Sequence, residues 1–145
     1  MASHKMSEQE VRAFLTSTPA RTGKLATVRA DGRPHVAPIW YLVDDDGALI
    51  FNTGEETVKG RNLRHDGRAA ICVDDDRPPF SVVVVEGEVE IITELAQVRE
   101  SAARLGARYM GDDRAEEYGV RNGVPGELLI RFLPSRVYAV ADLAD

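Results

Sequence analysis

Residues 80–92 restrict the fold of this chain more than any other stretch, because β-branched valine and isoleucine dominate them. Such residues favour extended backbone packed against neighbouring strands. Gly87 interrupts the run and predicts a bulge. We therefore predict a long central strand over residues 80–92.

The segments before this run alternate with period two and are separated by turn dipeptides. Residues 24–30 and 33–43 flank Asp31-Gly32, which suits the type I′ turn of a tight hairpin. A second turn at residues 45–47 leads into residues 48–52. The pattern predicts a three-strand antiparallel meander.

The remaining elements surround this meander. A capping box at Ser7 and Glu10 predicts a first helix that ends before Pro19. Thr53 and Thr57 compete as the cap of a second helix that closes at residues 66–67. Further elements are strands at 68–74, 127–132 and 137–141, a helix at 94–109 capped by Thr93, and mostly loop at 111–126.

Short strands joined by turns, without alternating βα units, favour a mainly β fold with flanking helices. The predicted architecture is a six-stranded antiparallel barrel, formed by one domain over residues 1–145. The chain has 18 basic and 24 acidic residues, a net charge of −6. That sign disfavours nucleic acid and anionic membrane surfaces as partners. Because no apolar stretch has the length of a membrane span, a cytoplasmic location is expected.

Several catalytic classes lack their signatures. The sequence contains no phosphate-binding glycine loop, zinc-binding motif or nucleophile elbow. His4, His35 and His65 are scattered, so no metal site is predicted. Cys72, the single cysteine, lies in an apolar run and is predicted to be a buried, inert thiol.

Positive charge is concentrated in residues 57–65, which contain Lys59, Arg61 and Arg64. A helix N-terminus with nearby arginines can bind a phosphate group. The same segment is equally well explained as a solvated helix face balanced by neighbouring acidic residues. The residues alone leave both interpretations open.

Pro38 stands inside a predicted strand, where it removes a backbone donor. Proline fits an edge strand or a place where a ligand replaces the neighbouring strand. Ala37, Ile39 and Trp40 would then form a surface for a planar ring. The alternative is an edge strand with a core tryptophan.

Three segments together resemble the split β-barrel flavin and deazaflavin family related to pyridoxamine phosphate oxidase. The resemblance spans about residues 10–140 and rests on the order and spacing of residues 25–40, the T-x-K-x-R-N-L-R pattern of residues 57–64, and Val85-Glu86-Gly87. It implies the FMN-binding split-barrel type of fold and a homodimer with two cofactor sites between the subunits.

The resemblance also implies which residues bind the cofactor, in three groups. One group would line the ring system: His35, Ala37, Pro38, Ile39 and Trp40. A second would hold the phosphate end: Thr53, Thr57, Lys59, Arg61 and Asn62. The third would reach in from the partner chain: Phe80, Ser81 and Val82.

Members that resemble this chain use either FMN or the deazaflavin coenzyme F420, and the pattern at residues 57–64 is closer to the F420-using reductases. The anionic oligoglutamate tail of F420 would meet Arg61, Arg64, Arg68 and Arg33. The chain stops at Asp145 without the arginine- and histidine-bearing segment of true pyridoxamine phosphate oxidases, which argues against that activity.

The resemblance thus predicts an F420-dependent reductase that transfers a hydride to a small, conjugated organic substrate. No catalytic residue is identified, and Tyr41 or solvent would supply the proton. The alternatives are an FMN-dependent oxidoreductase and a carrier of a flavin, deazaflavin or tetrapyrrole that performs no turnover.

Overall fold

A computed structural model describes residues 2–145, which form an antiparallel sheet flanked by helices. The eight strands follow the order β3-β2-β6-β7-β8-β5-β4, and β1 pairs with the end of β8. They are β1 (His4–Lys5), β2 (Gly23–Val28), β3 (Pro34–Ile39), β4 (Leu42–Val43), β5 (Leu49–Gly54), β6 (Arg68–Asp75), β7 (Ser81–Ile92) and β8 (Glu127–Ala141). The six long strands agree with the predicted split barrel, and the two-residue strands β1 and β4 are additional.

Four α-helices lie around the sheet: α1 (Glu8–Thr16), α2 (Val58–His65), α3 (Leu95–Met110) and α4 (Ala115–Asn122). The capping box of α1 is present as predicted. Thr57 caps α2, which settles the competition with Thr53. Two predictions are wrong: Glu94 caps α3 instead of Thr93, and the expected loop contains a 3-10 turn (Asp112–Arg114) followed by α4.

Alternation along the strands creates two faces. Leu25, Ile71, Val83 and Phe132 point into the main core, where each is almost completely buried. Their sequence neighbours form the outer face of the sheet. Cys72 lies on this outer face and is half-buried. The prediction of a buried thiol is therefore wrong, because the strand register turns Cys72 away from the core. Partial burial raises the pKa of the Cys72 thiol, which favours the unreactive protonated form.

The turn at Asp31-Gly32 differs from the predicted type I′ geometry. The Gly32 amide donates to Arg29 O at 2.8 Å, and only Gly32 has positive φ in that loop. Gly47 makes the equivalent bond to Asp44 O. Both loops are three-residue connections that end in a glycine with positive φ. A type I′ turn would require positive φ at both of its central residues, and the non-glycine residues of these loops avoid that conformation.

The predicted strand at residues 33–43 is broken into β3 and β4. Trp40 and Tyr41 lie between them, where the Tyr41 amide donates to Tyr109 Oη at 3.2 Å. The Tyr41 hydroxyl donates to Leu15 O at 2.7 Å. Anchoring by α1 and α3 therefore bends the chain where the alternating pattern predicted continuity.

The two closing strands predicted around Pro134 are one strand, β8, paired with β7 along almost its whole length. The register shifts between Glu86 and Gly87, so that Ser135 of β8 is the extra residue. The predicted bulge is therefore confirmed in position, with the inserted residue on the opposite strand. A Cβ at Gly87 would overlap the carbonyl oxygen of Leu133.

Gly87→Ala is predicted to destabilise the protein by about 2–3 kcal/mol, because the new methyl group must displace the β8 backbone. Gly67→Ala is the matched control, since a Cβ there has no neighbour closer than 3.8 Å. Urea unfolding of both variants measures the difference. Equal midpoints would contradict the packing described at the bulge.

Candidate active-site cleft

A cavity of about 210 Å³ opens at the free edge of β3, between the sheet and the α3–α4 pair. Five of its lining residues are apolar: Pro38, Ile39, Trp40, Ala102 and Leu105. The other three are polar, namely Asn52, Lys59 and Asn122. Apolar side chains beside a few convergent polar groups are typical of a small-molecule site.

The register of β3 explains why proline is tolerated there. The Arg29 amide donates to Arg33 O across the hairpin, so the β3 residues that hydrogen-bond to β2 are the odd-numbered His35, Ala37 and Ile39. The backbone amide and carbonyl positions of Pro34, Val36 and Pro38 face away from β2. Pro38 therefore removes no ladder hydrogen bond, which confirms that β3 is an edge strand.

Trp40 is held by aromatic contacts from the helices. Its ring stacks on Tyr109 with centroids 5.1 Å apart and an interplanar angle of 3°. Tyr118 meets it edge-on at 5.6 Å. One face of the partly buried indole is thus covered, and Trp40 forms a fixed wall of the cleft.

The N-terminus of α2 is locked onto the end of β5. The Thr57 hydroxyl donates to Gly54 O at 2.7 Å and accepts from the Gly60 amide at 3.0 Å. It also lies 2.9 Å from Thr53 Oγ1. The hydroxyls of Thr53 and Thr57 are therefore occupied by the cap.

Two backbone donors remain free at this helix end. The amides of Val58 and Lys59 have no acceptor within residues 2–145, as expected in the first turn of a helix. The Lys59 ammonium forms no ion pair with the residues that the structure describes. Burial raises the pKa of the nearby Glu127 carboxyl, and the charge of Lys59 opposes part of this rise. This helix end is an electropositive site.

A second cavity of about 340 Å³ lies at the other end of β3. Basic side chains surround it: Arg29, Arg33, Arg61 and His65. Arg29 and Arg61 form no ion pair with another described residue, whereas Arg33 is paired with Asp31 at 2.8 Å. We call this cavity the basic groove.

The basic track expected from the sequence is only partly present. Arg64 is paired with Glu55 at 3.1 Å and Arg68 with Asp66 at 2.8 Å. Arg61 is therefore the one unpaired cation among the four arginines of the expected track. Arg29, which the sequence analysis did not include, adds the second.

The structure separates the predicted ring-lining and phosphate-binding residues. Pro38, Ile39, Trp40 and Lys59 meet in the cleft. Arg61 and Asn62 lie at the basic groove, where the buried Asn62 amide donates to Thr27 Oγ1 at 3.0 Å and anchors α2. His35 and Ala37 lie outside the cleft lining, and within residues 2–145 His35 Nδ1 is buried without a hydrogen-bond partner.

The residues expected from a partner chain lie elsewhere. Phe80, Ser81 and Val82 are at the start of β7, and strands β6 and β2 separate them from β3. They do not line the cleft of their own chain. Phe80 has a positive φ of 65° and is held by the Leu143 amide, which donates to Phe80 O at 2.7 Å.

Tyr41 is excluded as a proton donor at the cleft. It is completely buried, and its hydroxyl already donates to Leu15 O. Burial raises the pKa of Tyr41 to about 12, so the phenol stays protonated and inaccessible at neutral pH. The sequence-based suggestion is corrected because Tyr41 lies in the break between β3 and β4 and points into the core.

Two polar residues of the cleft, Asn52 and Asn122, and Glu127 beside the end of β5 were not predicted. Asn52 alternates with buried Phe51 and Thr53, and this pattern already assigns it to the opposite face of β5. Asn122 lies on α4, which the sequence did not reveal. Glu127 begins β8, and an acidic residue at a strand start carries no distinctive signal.

No group of three potential ligands that would hold a metal ion occurs within residues 2–145. Over the same residues, no helix combines the length and apolar character needed to cross a membrane.

Two solved structures with the same fold are similar to this chain over most of its length. The conserved hypothetical protein Rv2991 from Mycobacterium tuberculosis superposes with a TM-score of 0.79 and 30% identity, over 92% of this chain and 84% of that one. A protein named F420 reductase superposes with a TM-score of 0.67 and 27% identity, over 87% and 94% of the two chains.

Two curated relatives are named as oxidoreductases. The 5a,11a-dehydrotetracycline/5a,11a-dehydrooxytetracycline reductase of Streptomyces rimosus is 34% identical over 48% of this chain and 54% of its own length. The pyridoxine/pyridoxamine 5'-phosphate oxidase of Pseudomonas paraeruginosa is 38% identical over 57% of this chain and 40% of its own length. The chain thus spans about half the length of these relatives.

The model of the family described as pyridoxamine 5'-phosphate oxidase matches residues 7–141, almost the whole chain. Fold, strand order and the curated relatives agree with that match. The chain belongs to the pyridoxamine 5'-phosphate oxidase family.

Proposed function

We propose that this protein is an F420-dependent reductase that acts on a conjugated organic substrate. The observation that carries the proposal is the arrangement of two cavities at opposite ends of β3, with the α2 N-terminus beside both. A six-residue strand spans roughly 17–20 Å. That length suits a cofactor with a ring at one end and an anionic tail at the other.

The cleft fits the ring end of such a cofactor. Pro38 and the fixed Trp40 provide flat apolar contacts, while Asn122 adds a polar group to the lining. The Asn52 amide donates to Val98 O and accepts from the Ser101 hydroxyl, so it holds α3 against β5 beside the cleft. The cavity of about 210 Å³ accommodates one ring system and leaves little room for a substrate beside it. The substrate is therefore expected to approach from the open side of the cleft.

The α2 N-terminus fits the phosphate. Lys59 offers an unpaired ammonium, and the free amides of Val58 and Lys59 add two donors aligned with the helix dipole. Thr57 and Gly60 keep this turn fixed against β5. The helix end would thus orient the cofactor without a rearrangement of the backbone.

The basic groove favours F420 over FMN. FMN ends at its phosphate and would leave Arg29 and Arg61 without a partner. The oligoglutamate tail of F420 continues beyond the phosphate and would pair with these two cations. When bound, reduced deazaflavin supplies the hydride, and the protein orients its ring. Because Tyr41 is buried, solvent is the proton source in this proposal.

We expect a direct titration to distinguish the two cofactors. F420 added to the purified protein should bind with a fluorescence change and with a lower dissociation constant than FMN. Reduced F420 should then be oxidised by members of a panel of enones, quinones and tetrapyrroles. Tighter binding of FMN would favour the alternative FMN-dependent oxidoreductase, whereas F420 binding without turnover would favour a carrier.

Lys59→Ala is predicted to weaken F420 binding about tenfold or more, because a charge-assisted phosphate contact contributes roughly 1.5–3 kcal/mol. Lys5→Ala is the matched control, since exposed Lys5 on β1 lies outside both cavities. Thermal unfolding verifies that both variants fold. An unchanged dissociation constant in folded Lys59→Ala protein would contradict the assigned phosphate site.

The outer face of the sheet supports assembly as a homodimer. One row across it contains Pro38, Lys24, Cys72, Val84 and Tyr138. Tyr138 is 58% exposed, and Val36 in the next row is 66% exposed. Large apolar side chains on one face indicate a binding surface. Pro38 belongs both to this face and to the cleft, so a second copy packed here would cover the open side of the cleft.

Val36→Asp is predicted to shift the sedimenting species from dimer to monomer and to weaken F420 binding, because it places a charge in the proposed interface. Val120→Asp is the matched control, since Val120 is 62% exposed on α4, away from the sheet. A monomeric wild type, or a Val36→Asp protein that remains dimeric with unchanged affinity, would argue against this interface.

A further inference from the structure

Glu127 places a carboxylate beside the proposed phosphate site. It is the first residue of β8 and pairs with Gly54 of β5, on the same face as the cleft residue Asn52. A Cβ built on Gly54 would lie 3.8 Å from Glu127 Oε2 and 3.4 Å from the Thr57 methyl group. The Glu127 carboxylate and the Thr57 methyl group therefore both lie within about 4 Å of the same point above Gly54.

Glu127 is not neutralised by contact. It is partly buried, and it forms neither a hydrogen bond nor an ion pair with its side chain in the part of the chain that the structure describes. The nearby Glu55 carboxylate, in contrast, is paired with Arg64. Lys59 acts on Glu127 through space. Among residues 2–145, Lys59 in the first turn of α2 and Glu127 at the start of β8 thus each lack an ion-pair partner.

The effect of the Glu127 charge on affinity depends on the charge of the bound phosphate group. A phosphate monoester such as that of FMN carries a charge of about −1.5 to −2 at pH 7, since its second pKa is near 6. The phosphodiester of F420 carries a single negative charge. Because repulsion grows in proportion to ligand charge, a fixed carboxylate disfavours the monoester more strongly.

We propose that Glu127 is a specificity-determining residue that favours the phosphodiester of F420 over the phosphate monoester of FMN. The proposal rests on the proposed function, because it assumes that the phosphate binds at Lys59. Glu127 lowers the affinity of both ligands by like-charge repulsion. The loss is larger for the dianion, and this difference produces the selectivity.

The test measures dissociation constants of F420, FMN and riboflavin for the wild type, Glu127→Gln and Glu127→Asp. Removal of the charge should tighten F420 binding about threefold and FMN binding about tenfold, so that the FMN-to-F420 ratio of dissociation constants falls about threefold. Glu127→Asp keeps the charge and should retain the wild-type ratio. Riboflavin has no phosphate, and its affinity should not change.

Glu8→Gln removes one negative charge at α1, outside the cleft and the basic groove, and controls for net charge. Thermal unfolding verifies that all variants fold. An unchanged ratio in Glu127→Gln, an equal change in Glu8→Gln, or a changed riboflavin affinity would each overturn the role of Glu127 while F420 binding still supports the proposed function. Absence of F420 binding in both the wild type and Glu127→Gln would overturn both.

Discussion

The docking of the α2 N-terminus onto the end of β5 is the contact on which the site depends. The Thr57 hydroxyl joins the cap of α2 to Gly54 O and to the Thr53 hydroxyl. Gly60 permits this approach, because a Cβ there would overlap Gly54 O. Asn62 fixes the other side of the helix to Thr27. The free amides of the first turn are consequently held in one orientation beside the cleft.

Charge in this acidic chain is arranged locally. Most arginines are paired with neighbouring carboxylates, among them Arg64, Arg68 and Arg33. Lys59, Arg61 and Arg29 form no ion pair with another described residue, and all three line the cleft or the basic groove at the ends of β3. In a chain with a net charge of −6, these cations make the ends of β3 favourable for an anionic ligand.

The sequence was sufficient to predict most of the long strands, the position of the bulge and the capping box of α1, because each depends on local side-chain chemistry. It failed where tertiary contacts decide the geometry. The strand predicted over residues 33–43 is broken at Tyr41, because the Tyr41 amide and hydroxyl donate hydrogen bonds to α3 and α1. Pro134 remains inside β8 because the register shift at Gly87 accommodates it. The role of Glu127 depends on pairing with Gly54, which residue spacing does not reveal.

A crystal structure of the protein with F420 bound tests the central claim most directly. The account predicts the phosphate within about 3 Å of the Lys59 ammonium and the first-turn amides of α2, with the ring against Pro38 and the tail toward Arg61. A phosphate bound away from Lys59, or a ring outside the cleft at the β3 edge, would contradict the account.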